Sequence, residues 1–198
     1  MSLAQLPLIA LMLLSEAAPR HAAAAKPGLA EGKRARIVAT ARSYVGKPVP
    51  GDCSSFVTRV YREAGAALPL AAGPRRSGTE AIFDGLTRVP RPRAGDVVVF
   101  HRTYDRERPG PGRNLFTHVG VVESVKGRRV TFIHRSGRRV ERSSMNLARP
   151  RDPSENDVLR RKRRGDVPGQ AYLAGELFAG YASPFAPKLR AGRRPAHR

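Results

Sequence analysis

The chain has no tryptophan and one cysteine, and aromatic residues make up only 6% of its 198 residues. A single cysteine excludes an intramolecular disulfide, and no Cys/His spacing resembles a zinc site. So few rings leave little for a platform that stacks unpaired bases, and no specific nucleic-acid partner is expected. Acidic residues are scarce too: 16 Asp and Glu stand against 37 Lys and Arg, a formal net charge of +21. That surplus suits contact with polyanions, anionic envelope polymers among them, although the basic residues are spread along the chain rather than gathered. Asp105, Glu107 and Asn114 share one loop, but prolines interrupt it and the spacing is wrong for an EF-hand, so no metal is expected. Nothing points to any other cofactor.

Long hydrophobic runs are missing as well. Leu6 to Leu14 (LPLIALMLL) is too short to span a bilayer, so no transmembrane segment is expected. The small-residue tract His21 to Ala25 follows it and offers an A-x-A-like cleavage site. Residues 1–25 therefore read as a signal peptide, despite the missing Lys or Arg ahead of the apolar run. The mature, exported protein then begins near Lys26 and is expected to be a monomer.

What is present centres on Gly51 to Gly65, GDCSSFVTRVYREAG. Phe56, Val57, Val60, Tyr61 and Ala64 recur with helical spacing, and Arg59, Arg62 and Glu63 fall on the other side. Asp52 stands at the N-cap and Gly65 at the stop. Cys53 becomes the first helical residue, where the positive end of the helix dipole is expected to favour a thiolate and to keep the sulfur out of the deep core.

An earlier helix is expected over Glu31 to Val45 and a short one over Thr79 to Leu86, capped by Ser77 or Thr79. From Pro90 the pattern turns to strands: Val97 to His101, His118 to Val125, Arg129 to His134 and Arg139 to Arg142. Helices followed by an antiparallel meander make an α+β fold. Arg149 to Asp166 reads as a basic insertion in a domain spanning 26–184. Its run Arg160 to Arg164 suits either a polyanion grip or, more often, a mobile solvated loop. Residues 185–198 read as a basic disordered tail.

The hairpin turn at Lys126-Gly127 brings the start of one strand beside the end of the next, and so sets His118 beside His134. His101, at another strand end, is a weaker candidate. A cysteine with an imidazole as base and a second polar group orienting that base is a nucleophile–base–orienter arrangement.

Four ordered blocks then carry a resemblance. Gly51 to Val57 resembles the D-C-S-G-hydrophobic signature of the NlpC/P60 cysteine peptidases, and Arg93 to Phe100 resembles their P-G-D-hydrophobic strand. Thr117 to Val122 is similar to their H-V-G-I block, and Phe132-Ile133-His134 to the third block. The CHAP amidases, near relatives, share the cysteine–histidine core. The resemblance implies a papain-like core in which Cys53 attacks, His118 exchanges the proton and His134 orients it, with Asp52 and Ser54 at the substrate. It also implies peptidoglycan as substrate, cut at an amide bond of the stem peptide, in the periplasm or extracellular envelope of a bacterium. Val49 stands where the family has a site-lining tyrosine, and Ser55 where it has a glycine. A wall-binding module that has lost turnover is the alternative.

Overall fold

The protein is described here from a computed structural model covering residues 28–73, 77–104 and 115–187. The expected export segment, the loop residues Asp105, Glu107 and Asn114, and the tail beyond residue 187 lie outside the described residues. Three helices come first: α1 (Leu29–Ser43), α2 (Cys53–Glu63) and α3 (Gly78–Gly85). Strands β1 (Thr87–Val89), β2 (Val97–Phe100), β3 (His118–Lys126), β4 (Arg129–Ser136) and β5 (Arg139–Asn146) follow. A short helix, α4 (Ala174–Leu177), leads into β6 (Phe178–Ser183). The six strands form one antiparallel sheet in the order β1-β6-β2-β3-β4-β5.

This is the expected α+β arrangement of helices on an antiparallel sheet, with a papain-like core. The central strands are buried on both faces, which the unbroken apolar run Val97-Val98-Val99-Phe100 anticipates. On one face Val97, Val99, Val119, Val121 and Ile133 meet Ile37, Phe56, Val57, Val60 and Tyr61 from α1 and α2. On the other, Val98, Phe100, Val122 and Phe132 meet Met145, Ala174, Leu177 and Tyr181. Two strands were not anticipated. β1 is three residues long, and β6 begins in the apolar segment Ala171 to Tyr181, which was expected only to pack back on the domain. β6 inserts between β1 and β2, a long-range pairing that local periodicity does not report.

Ion pairs to two buried acids, Asp96 and Glu123, tie the layers together. Arg34, on the inner side of α1, donates to Asp96 at 2.7 Å and to Ser183 Oγ at 3.1 Å, and Phe185 lies 4.5 Å beneath its guanidinium. Glu123 of β3 is gripped by Arg42 of α1 and Arg142 of β5. Phe185, expected in a disordered tail, therefore packs on the domain, and Thr87 Oγ1 donates to the Ala186 carbonyl.

The basic insertion departs further from expectation. Asn156 and Arg160 are buried, and Asn156 bonds the backbone of Asn146, Arg149 and Asp152. The segment is a folded strap, not a mobile loop, because its polar side chains replace the missing secondary structure as hydrogen-bond partners. With Arg160 buried, the run Arg160 to Arg164 is also not a continuous solvent-facing grip.

Candidate active site

Cys53 is the first residue of α2, as the capping pattern required. Asp52 Oδ1 accepts from the Ser55 N–H at 2.8 Å and from the Ser54 hydroxyl at 2.7 Å. Such a cap is worth about 1 kcal/mol to the helix. Gly51 makes the entry possible: its φ is +90°, and a Cβ there would lie 2.8 Å from Ser55 Cβ. The Cys53 N–H is left outside both the cap bond to Ser55 and the first intrahelical bond, which runs from Phe56 to the Asp52 carbonyl.

The sulfur is more enclosed than expected. Cys53 is 9% exposed, and Sγ lies 3.8 Å from Thr79 Oγ1 and 3.9 Å from the Thr117 carbonyl. Burial pushes the thiol above its ordinary range, and the Asp52 charge adds to this against the opposing pull of Thr79. Desolvation of a charge at this depth opposes the thiolate that the helix dipole was expected to favour.

The two histidines meet as the hairpin geometry required. His118 opens β3, and His134 on β4 stands opposite Gly120. A Cβ on Gly120 would come within 3.2 Å of His134 Cβ and 3.0 Å of the Ile133 carbonyl, so the glycine gives the ring its room. His118 Nε2 lies 2.8 Å from His134 Nδ1, with the rings edge to face at 86°. His134 Nε2 in turn lies 3.0 Å from Ser143 Oγ. Burial holds both imidazoles below their ordinary range; the neighbouring His134 adds to the shift of His118, and His134 is pushed down to about 4.

Ser143 was missed because β5 was expected to end at Arg142. In register, Phe132 pairs with Ser143 and His134 with Glu141, so Ser143 is the diagonal neighbour of His134 on the same face. Carrying the strand on by one residue would have found it.

Asp52, Cys53, His118 and His134 line one cavity of about 460 Å³. Thr103, Tyr104, Arg135, Arg161 and Arg163 also line it. Ser54 is not on that wall: its hydroxyl bonds Asp52, and it packs where α3 begins, 2.1 Å from where a Cβ on Gly78 would stand. His101 belongs elsewhere. It lines a second cavity, of about 550 Å³, beside Phe83 and Tyr181, and its Nδ1 accepts from the Phe116 N–H at 2.9 Å. Val49, in the place of the family tyrosine, is buried and offers its carbonyl to Arg135 Nε at 2.8 Å.

A cysteine at a helix start, facing an imidazole pair presented by adjacent antiparallel strands, defines a cysteine-hydrolase site of the papain-like type. Residues 43–136 match the CHAP domain family. That segment is thus similar to one of the two related families that the four sequence blocks resemble. Among solved structures the chain is similar to Ly7917, at 19% identity with a TM-score of 0.43, covering 58% of this chain and 57% of that one. A second structure, of Ly7917 with the hydrolyzing product of MDP, compares at 18% identity and a TM-score of 0.43, with the same coverage. The chain thus spans a little over half the length of these neighbours. No curated protein matches the chain. Among the described residues, no helix is long and apolar enough to cross a membrane.

Proposed function

We propose that the protein is an exported cell-wall hydrolase that cleaves amide bonds of peptidoglycan stem peptides through an acyl-enzyme on Cys53. One observation carries the reading: Cys53, His118 and His134 face the same cavity, with His118 Nε2 bonded to His134 Nδ1. That bond leaves His118 Nδ1 as the nitrogen available to the thiol. Two proton arrangements satisfy the chain His118–His134–Ser143, and only one makes His118 a base. In it, His118 Nε2–H donates to His134 Nδ1, and His134 Nε2–H donates to Ser143 Oγ.

The thiol proton then moves to His118 Nδ1 as Sγ attacks the amide carbonyl. The Cys53 N–H receives the developing oxyanion. His118 returns the proton to the leaving amine, the C–N bond breaks, and a thioester remains. Water gives a proton to His118 and attacks the thioester, releasing the acid and restoring the thiol. A thiol raised by burial and an imidazole lowered by burial favour this neutral route over a resting ion pair. Asp52 acts through the helix cap, and its carboxylate lies at the substrate-facing rim of the cavity.

A second reading, a wall-binding module without turnover, draws on the buried thiol and on Val49 in the tyrosine position. Purified sacculi decide between them. Wild type is expected to release muropeptides and Cys53→Ala to release none, with both variants showing the same thermal unfolding. Equal release by both would remove Cys53 from the chemistry; no release by wild type would leave the binding module.

A further inference from the structure

Among the described residues, two oxygens lie within hydrogen-bond reach of the Cys53 sulfur, and they differ in what they offer it. The Thr117 carbonyl, 3.9 Å from Sγ, accepts and never donates, so it suits the protonated thiol. The Thr79 hydroxyl, 3.8 Å away, can also donate. Once the thiol proton leaves, the sulfur can only accept. The carbonyl then faces a negative charge, and the hydroxyl is the partner that answers it. Burial opposes the charged sulfur, and against it Thr79 pulls hardest, ahead of the backbone N–H groups of Val119 and Ser54.

Thr79 is placed to donate. It is the second residue of α3, whose cap Ser77 accepts from the Glu80 N–H at 3.1 Å. A helical threonine often turns its hydroxyl back on the carbonyl four residues earlier, and for Thr79 that position precedes the helix. The residue is 3% exposed, and among the described residues the sulfur is its hydroxyl's one hydrogen-bond partner. Packing holds the contact. A Cβ on Gly78 would lie 2.1 Å from Ser54 Oγ, so the glycine lets the start of α3 press against the first turn of α2. At the far end of α3, a Cβ on Gly85 would lie 2.1 Å from the Pro69 carbonyl oxygen, and the Ala71 N–H donates to the Ala81 carbonyl at 2.8 Å.

We propose that the Thr79 hydroxyl is a catalytic hydrogen-bond donor to the Cys53 sulfur, acting in both steps in which that sulfur carries negative charge. The proposal rests on the hydrolase reading of the site. In acylation the S–H proton passes to His118 Nδ1 while Sγ bonds to the amide carbon, and the hydroxyl stabilises the charge until that bond is made. In deacylation water adds to the thioester carbon and the C–S bond breaks, its electron pair going to sulfur. The hydroxyl holds that thiolate until His118 returns the proton. A hydrogen bond to a charged group is stronger than one to a neutral group, so the donor favours these states over the thiol.

The test is alkylation by iodoacetamide against pH, which needs no turnover and reports on Cys53 alone, the chain's one cysteine. Wild type, Thr79→Val and Thr79→Ser are compared; valine keeps the shape and removes the hydroxyl. The ionisable groups that share the cavity with the sulfur are Asp52, Tyr104, His118, His134, Arg135, Arg161 and Arg163. They are the same in all three proteins, so a difference belongs to position 79. The Thr79→Val profile is expected to move to higher pH by about one unit, with kcat on a stem peptide about tenfold lower and KM unchanged. Thr79→Ser is expected to restore most of both. Thermal unfolding is followed alongside, and Thr79→Ala takes the place of Thr79→Val should valine unfold the chain. An unshifted profile in a folded variant without the hydroxyl overturns the proposal, and so does Thr79→Ser behaving like Thr79→Val. A shifted profile beside a wild type that cleaves no stem peptide sinks the hydrolase reading and keeps the hydroxyl as the sulfur's donor. An unshifted profile beside normal cleavage does the reverse.

Discussion

Residues 43–136 and residues 139–183 build the same cavity by different means. The first stretch supplies Cys53, His118 and His134, each nine-tenths or more buried and fixed on α2, β3 or β4. The second supplies Arg161 and Arg163 from a strap with little regular structure, and Ser143 of β5 as the partner of His134 rather than as lining. Proton transfer tolerates little positional error, so its groups sit on elements whose geometry the sheet fixes. Recognition of a charge tolerates more, and its groups sit on a loop whose root alone is anchored. The family match covers the first stretch and ends at residue 136, so Arg161 and Arg163 lie outside the matched segment.

The sharpest way to test the division is to damage each half in turn. His118→Ala is expected to lower kcat/KM by about 10³-fold or more through kcat, in line with loss of a positioned general base. Arg161→Gln with Arg163→Gln, at the cavity lining away from the reacting atoms, is expected to act through KM and to leave kcat within a few-fold. Steady-state kinetics on a stem peptide separates the two. A KM effect from His118→Ala, or a kcat collapse from the arginine pair, would break the division.

The two halves were also unequally legible in the sequence. Asp52 before Cys53, the β-branched run at Val97 and the turn at Lys126-Gly127 are local signals, and each appears in the fold where it was read. The histidine pair followed from them by simple strand geometry. The strap did not, because its order comes from long-range polar bonds: Asn156 to Asn146, Arg160 to Arg102. Charge alone cannot tell a solvated arginine from one buried on a carbonyl and a carboxylate. The thiol misled for a related reason. Its place at the helix start was legible, but the burial that opposes the dipole depends on Thr79 and Thr117, which lie far off in sequence.

Acid offers a second comparison of the halves, because the imidazoles of the first are kept neutral by burial. His134 in the folded protein titrates at about 4, below its ordinary value of 6.5, and His118 also lies well below that value. The unfolded chain therefore binds more protons than the folded one in this window. Full stability is present above about pH 6.5 and is lost as pH falls toward 4, by at most about 1.4 kcal/mol per pH unit for each ring. Between pH 6.5 and 5, where exposed carboxylates stay ionised, the thermal midpoint is expected to fall. A midpoint that stays flat across that interval would mean that the rings take up protons without penalty. The acid limb of kcat/KM is expected below pH 6.5 for the same reason.

Ser143→Ala should have the smallest effect, and it tests whether β5 contributes to the chemistry or only to the sheet. The hydroxyl lies two bonds down the chain from the base: His118 Nε2 to His134 Nδ1, then His134 Nε2 to Ser143 Oγ. Its removal leaves one ring nitrogen of His134 without its hydrogen-bond partner in a buried setting. That costs about 1–3 kcal/mol if the nitrogen stays unsatisfied. It also frees His134 to take the other tautomer, in which Nδ1–H points at His118 Nε2 and His118 Nδ1 carries a proton rather than a lone pair. The thiol then has no acceptor until the protons rearrange. A loss of a few-fold in kcat is expected, with KM unchanged, and Ser143→Thr, which keeps an oxygen at the same branch, should restore most of it. A stability loss without any change in kcat would confine Ser143 to the sheet, and the division of the molecule at residue 136 would then hold for the chemistry without exception.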